Sequence, residues 1–349
     1  MPQNFTAAVI GCGSIAQHLH LPGYAKRADI SRLVGVDPVA ERRTEVEGRF
    51  APAATYSDYR EMFARERPDF VSVCSPNVFH GEHAVAALQA GAHVLLEKPM
   101  TLTLAEAKAV SAAAAAAGKQ VMIGFSHRLR QSNQAIKQLL LDGAIGEPFM
   151  MRVRFAHGGP FPGWAKSDWF YRPELAGGGA LFDMGIHAID LCEWLIGPIT
   201  AVTAVMRTLR KPIALDDNAV MAVEFGARAL GYIEVGWTSG PGFLGLEIYG
   251  DAGTIINDYE APLRICRGVS SPDMQEALAY AWEEIPVAGG PETWEIEIDH
   301  FLDTILAGKD FAMGLDAGAA ALAVALAAMD SAKNGRRNVV GVRSQTKVA

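Results

Sequence analysis

Asp183, His187 and Asp190 recur at helical spacing in GGGALFDMGIHAIDLCEW, residues 177–194. Side chains three and four residues apart share one face of a helix. Imidazole is the side chain whose ordinary titration range spans neutrality, so His187 can take or give a proton in a reaction run near pH 7. Asp183, one turn earlier, either orients that ring or grips a substrate hydroxyl. Asp190 reads as a structural acid. Phe182, Ile186 and Ile189 form one apolar stripe and Met184, Leu191 and Leu195 another, which predicts a helix packed over much of its circumference with its polar stripe facing a cleft. Gly177, Gly178 and Gly179 let the chain turn sharply or pass close to a ligand before that helix. As metal ligands, Asp183 and His187 lack a clear third partner, and no metal is expected.

A second set of residues carries complementary chemistry. Gly11-Cys12-Gly13-Ser14-Ile15-Ala16 follows the apolar run TAAVI. Gly11 permits a tight turn, Gly13 lets a pyrophosphate approach the backbone, and small Ala16 allows a helix to pack closely on a strand, with the helix N-terminus drawing the phosphate charge. Asp37 ends the next strand, LVGVD, where an acid can accept hydrogen bonds from an adenosine ribose. Pro38 and Val39 follow it, with no immediate Arg to meet a 2′-phosphate, so NAD is expected in preference to NADP. CSPNVFHGEHA and LLEKPM end later strands, which places Ser75, Pro76, Asn77, His80, Glu97 and Lys98 in the crevice where such sheets bind ligands. Pro99 fixes the backbone there and directs the Lys98 ammonium into the crevice. Glu97 reads equally as a cofactor contact and as an acid balancing a nearby cation.

These residues must be positioned by two kinds of architecture. From residue 5 to about 125, β-rich runs alternate with helices, including the alanine-rich LAEAKAVSAAAAAAG, whose Gly118 sits where a C-cap belongs. That alternation predicts a doubly wound parallel sheet with helices on both faces. After Phe125, the runs FMMRVRFAH, ITAVTAVMR, NAVMAVEFG, ALGYIEVGW and LGLEIYG come nearly in succession between Gly, Pro and Asp turns. They predict an α+β second domain, residues 126–349, on a large, mainly antiparallel open sheet. The last helix is expected to pack back on the first domain.

At 349 residues the chain is long for one core, and half of its residues are hydrophobic. Its net charge of −8 and lack of a dense Lys/Arg run argue against nucleic acid. The N-terminal residues show no basic region followed by a long apolar one, and no run approaches 18 unbroken apolar residues. A soluble, cytoplasmic protein without membrane partners is expected. Cys12, Cys74, Cys192 and Cys266 show no C-x-x-C pairing and read as small core residues.

IGCGSIA, SPNVFHGEHAVAALQAGAHVLLEKPM, HRLRQSNQAIKQLLLDGAIGEPFMMR and GGGALFDMGIHAIDLCEWLIG, in that order and separation, resemble the Gfo/Idh/MocA family, the glucose-fructose oxidoreductase and inositol dehydrogenase group. The resemblance spans essentially the whole chain. It implies an N-terminal Rossmann domain, a C-terminal domain on an open sheet, a site between them, and oxidation or reduction of one carbon of a sugar, inositol or related polyol. It also implies face-to-face association of the sheets in homodimers or homotetramers. Position by position, the lysine of the E-K-P motif falls on Lys98, the D-x-x-x-H pair on Asp183 and His187, and the Rossmann positions on Gly11, Gly13, Ser14, Ile15 and Asp37. Ala16 replaces the third Rossmann glycine.

Oxidising a secondary alcohol removes a hydroxyl proton while hydride leaves the same carbon. His187 is the candidate acceptor of that proton, and Lys98 the group that steadies the developing negative oxygen. The irregular segment GGPFPGWAKSDWFYRPELAGGG supplies aromatic candidates for a sugar or nicotinamide face in Trp164, Trp169, Phe170 and Tyr171. Arg128 and His157 are lesser candidates for substrate contact. Two alternatives stay open: a lyase or glycosidase that uses NAD transiently, and a non-catalytic NAD-binding sensor.

Overall fold

The computed structural model describes residues 4–160, 167–268, 281–287, 289 and 296–341. The chain divides into two compact units. The first comprises Met1–Leu129, Pro160–Gly177 and Gly290–Leu322, and the second Arg130–Gly159, Gly178–Gly289 and Ala323–Ala349.

In the first unit, β1 (Phe5–Ile10), β2 (Ile30–Val36), β3 (Ala54–Tyr56), β4 (Phe70–Val73), β5 (His93–Leu96) and β6 (Val121–Ile123) form a sheet in the order β3-β2-β1-β4-β5-β6. All of its neighbours are parallel. Each strand is apolar because helices cover both faces; Ala7, Ala8, Val9, Val71, Val94 and Leu95 are fully buried. The order reverses between β1 and β4, where the loops leaving neighbouring strand ends diverge and open a crevice. Local signals set the helix ends. Thr103 and Glu106 make a reciprocal capping box ahead of Leu104–Ala117, and Gly118, at φ 60°, closes that helix in the left-handed conformation foreseen for it.

The second unit is built on a nine-stranded sheet among the described residues. Its strands are β7 (Pro148–Ala156), β8 (Ala201–Arg207), β9 (Asn218–Phe225), β10 (Ala229–Gly236), β11 (Phe243–Gly250), β12 (Gly253–Asp258), β13 (Arg264–Arg267), β14 (Trp282–Glu284) and β15 (Asn338–Val339). They lie in the order β14-β13-β12-β11-β7-β10-β9-β8-β15. Neighbours are antiparallel except β7 and β10, which run parallel. Strict alternation gives the sheet two unlike faces. Met221, Val223, Ile233 and Val235 are buried under the segment 181–195, while Val205, Val220, Leu230 and Tyr232 lie exposed on the other side.

Leu315–Asn334 is the one helix among the described residues long and apolar enough to cross a membrane. Its Ala321, Leu322, Val324, Ala325 and Ala328 are buried within the protein, so its apolar length serves packing.

Candidate active site

Within the first unit the candidate residues gather at the C-terminal ends of β1, β2, β4 and β5. Gly11 has φ 91°, and a Cβ there would lie 2.6 Å from Ser75 N and 2.7 Å from the Cys74 carbonyl. Only glycine fits that crossing of β1 and β4. A Cβ on Gly13 would meet no protein atom within 4 Å, which leaves its backbone open to a ligand, while Ala16 is fully buried against the sheet. Ser14 and Ile15 are exposed, and the Ser14 hydroxyl lies 3.3 Å from His18 Nδ1.

Asp37 is almost wholly enclosed. Its Oδ2 accepts from Cys12 N at 2.9 Å and pairs with Arg42 at 3.4 Å, and its Oδ1 accepts from Val39 N at 2.9 Å. Arg43 donates to the Asp37 carbonyl at 2.7 Å. The two guanidiniums, absent from the positions directly after Asp37, therefore reach its corner from the following helix. Cys12 beside it is no nucleophile, since burial and the Asp37 charge push its thiol up to about 12.

Ser75, Asn77 and His80 tie neighbouring loops together. His80 places Nδ1 2.7 Å from the Pro99 carbonyl and Nε2 2.9 Å from the Ser75 carbonyl. A neutral ring can donate to only one of these, and burial lowers His80 below its ordinary range. Asn77 donates to the Ala176 carbonyl at 2.9 Å, and the Ser75 hydroxyl meets His83 at 2.9 Å. Glu97 and Lys98 follow β5 directly, and Lys98-Pro99 is a cis peptide. Lys98 is half-buried, and its backbone N–H points to Glu97 Oε2 at 3.3 Å. Arg128 is buried and donates to the Ala312 carbonyl at 3.0 Å. Trp169 stacks on Phe170 with centroids 3.9 Å apart, and Tyr171 ends the same short turn; Trp164 lies outside the described residues.

The second unit holds Asp183 and His187. The chain enters their helix through Gly179, where a Cβ would lie 1.9 Å from the Asp216 carbonyl oxygen. Asp216 caps the entry, accepting from Gly179 N and Leu181 N at 2.9 Å each. Leu181–Gly185 is wound as a π-helix and Ile186–Leu195 continues as an α-helix. The expected helix is thus present, with Asp183 on its wider first turn, a distortion frequent at functional sites. His187 and Asp190 are buried. Trp237, buried just after β10, donates its indole N–H to Asp183 Oδ2 at 3.0 Å. His157 stands beside this group: its Nδ1 accepts from Gly159 N at 3.0 Å and its Nε2 lies 3.1 Å from Met184 Sδ.

Next to Asp216, the Asp217 carboxylate gathers the backbone N–H groups of Leu209, Arg210 and Lys211 at 2.7–2.9 Å. Burial opposes its charge, but these donors and Asn218 hold it below the usual carboxylate range; Asp216, with fewer donors and the Asp217 charge beside it, is pushed above it by desolvation. Trp237 and Asp216 have no local signature that singles them out, because each acts on residues distant in sequence.

Comparison with known proteins adds an independent line. Residues 5–125 match the model described as an oxidoreductase family with an NAD-binding Rossmann fold, and residues 133–256 match the GFO/IDH/MocA C-terminal domain. The chain is 34% identical over 190 residues to D-glucoside 3-dehydrogenase of Escherichia coli (strain K12), covering 54% of this chain and 53% of that protein. It is 26% identical over 348 residues to a D-apiose dehydrogenase of Rhizobium rhizogenes (strain K84), covering 96% and 97%. Across three sugar dehydrogenases, the D-glucoside enzyme among them, the matches span 53%, 62% and 63% of the relatives' lengths. Levoglucosan dehydrogenase in complex with NADH superposes with TM-score 0.86 at 25% identity, over 97% of this chain and all of that one.

Proposed function

The chain belongs to the Gfo/Idh/MocA family of NAD-binding oxidoreductases, and from that premise we propose that it is a dehydrogenase acting on a secondary alcohol of a sugar or related polyol. The observation that carries the reading is the place of Lys98, directly after β5 on the same sheet edge as the Gly11 turn. The cramped Gly11, the open Gly13 and the acid at Asp37 fit a dinucleotide's pyrophosphate and ribose. NAD, when bound, supplies the hydride acceptor. Preference for NAD over NADP rests on the Asp37 carboxylate, which repels a 2′-phosphate.

The chain's own residues handle the proton and the charge. Lys98 donates a hydrogen bond to the reacting oxygen and stabilises the negative charge that grows there as the hydroxyl proton departs. His187 accepts that proton in oxidation and returns it in reduction. Trp237 fixes Asp183, and Asp183 holds the imidazole or a neighbouring substrate hydroxyl in place. Asn77, a candidate for cofactor contact, and Arg128, a candidate for substrate contact, each also tie a loop of the site to a backbone carbonyl. Exposed Val205, Val220, Leu230 and Tyr232 on the open sheet face fit a contact between copies of the chain in a homo-oligomer.

A panel of sugars and polyols, offered with NAD or NADP and read by absorbance of the reduced cofactor, tests the proposal. Turnover of one sugar class with NAD is the expected result. Product formation without net accumulation of reduced cofactor would replace it by a transient-redox lyase, and NAD binding with no turnover of any compound would replace it by a sensor.

A further inference from the structure

Behind Lys98 the first unit encloses an unusual group of titratable side chains. His20, Glu97 and Glu297 bring their ligand atoms within 4.8 Å of one another, with His20 and Glu297 buried. The three come from far apart in the sequence: the turn before helix Leu21–Lys26, the end of β5, and the start of helix Glu297–Leu306, which packs on Leu21–Lys26. His20 is saturated, with Nδ1 2.9 Å from Ser72 Oγ and Nε2 3.0 Å from Glu97 Oε1. Glu97 also faces the Lys98 backbone N–H. Glu297 is different. It is 2% exposed, and its Oε1 has no hydrogen-bond partner among the described residues.

Two carboxylates enclosed together cannot both ionise unless cations balance them. The groups that face the pair are few. Tyr24 and Cys74 are both raised, chiefly by burial, and stay protonated; His80 is lowered by burial. Lys98 is the lysine that faces both acids. We propose that Glu297 carries a proton and Glu97 does not, so that the pair sets one negative charge, not two, against Lys98, and that Glu297 is thereby a positioning residue acting on Lys98 through Glu97. This rests on the reading of Lys98 as the group that steadies the reacting oxygen. The directions agree: burial and the Glu97 charge raise Glu297 well above the usual range, whereas His20 and Lys98 hold Glu97 below it despite burial.

The consequence for stability has a definite sign. An acid raised by folding contributes most below its unfolded value, about 4.3 for Glu, and loses that contribution as pH rises through the folded one. Glu297→Gln mimics the protonated acid without having to hold a proton. Its folding constant should therefore gain on the wild type by about tenfold per pH unit above about 4.3 for as long as Glu297 stays protonated, with no gain at more acidic pH.

Three measurements test the assignment, two of them without any substrate. Infrared spectra of the protein in heavy water at neutral pH should contain a protonated-carboxyl band above the amide region, lost in Glu297→Gln. Melting as a function of pH should show the variant's growing advantage. If the dehydrogenase reading holds, Glu297→Gln, which keeps the pair at one negative charge, should leave the alkaline limb of turnover where it is over the range in which Glu297 stays protonated, whereas Glu97→Gln, which removes that charge from beside Lys98, should shift it to lower pH. Absence of the band in the wild type, a Glu297→Gln variant that melts lower at neutral pH, or an alkaline limb that stays in place in Glu97→Gln would each overturn the proposal. So would a stoichiometric divalent cation that survives dialysis against a chelator, which would make His20, Glu97 and Glu297 its ligands. Failure to find any sugar substrate would count against the dehydrogenase reading and leave the spectroscopic and melting results standing.

Discussion

Trp237→Phe removes one hydrogen bond from the candidate site and little else. The indole N–H of buried Trp237 lies 3.0 Å from Oδ2 of half-buried Asp183, so the bond is made to a carboxylate partly screened from water. Such bonds contribute about 1.5–3 kcal/mol, and the smaller ring leaves a void of at least methyl size at about 1 kcal/mol more. The sum, about 2.5–4 kcal/mol, predicts a melting temperature lower by roughly 5–15 °C for a unit of this size. If Asp183 takes part in the chemistry, the lost bond also appears in the rate as a fall of about 10- to 150-fold. NAD titration should be unchanged, because the Gly11 turn and Asp37 belong to the other unit. Steady-state kinetics on the substrate found by the panel then separate two roles for Asp183. A fall in kcat with a displaced acidic limb means that it orients His187, whereas a raised KM means that it grips the substrate. A folded Trp237→Phe protein with wild-type kcat and KM would refute the reasoning and leave the Trp237–Asp183 bond as scaffold.

Other substitutions probe each assignment separately. Lys98→Met keeps length and removes the charge, and should lower kcat about 10²- to 10³-fold, the usual loss of one donor to a developing oxyanion, with the melting curve retained. His187→Ala should lose about 10²- to 10⁴-fold in rate and abolish the fall of kcat/KM at acidic pH, since no imidazole remains to be protonated; an unchanged acidic limb would assign the proton to another group. Asp37→Ser should weaken NAD and improve NADP, because it frees the Cys12 and Val39 amides and leaves Arg42 available to a 2′-phosphate. Equal affinity of the two cofactors for the unmutated protein, measured by titration, would remove the basis of that prediction.

Features written in local spacing were legible in the sequence. The Gly11 turn, the alternation of β9 and β10 and the Gly118 cap each depend on residues within one element and its flanks. The parallel register of β7 beside β10 was not legible, because both strands read as the same alternating pattern and some 70 residues separate them. The π-wound turn under Asp183 was equally hidden: it hangs on Asp216, which meets Gly179 and Leu181 only after folding. Trp237 looked like one more aromatic at a strand end. Arg42 at Asp37 is equally hidden, because its guanidinium returns from the next helix and not from the residues directly after the acid. Glu97 stands beside Lys98 in a recognisable motif, but its partner Glu297 lies 200 positions away in a helix whose pattern is ordinary.

Among the described residues, the nine-stranded sheet ends in strands of three and two residues, Trp282–Glu284 and Asn338–Val339. A long unpaired edge offers a row of free backbone donors and acceptors onto which another chain can add. One border carries Glu283 and Glu284, whose charges repel an incoming copy of the same edge; at the other, Asn338–Val339 pairs only Ala201 and Val202 of β8, and Ser331 Oγ takes the Ala204 N–H just beyond them. A contact between copies of the kind proposed above would bury the broad exposed face of Val205, Val220, Leu230 and Tyr232 instead of a rim, and a face that meets its own copy closes a pair where an added strand would run on as a fibre.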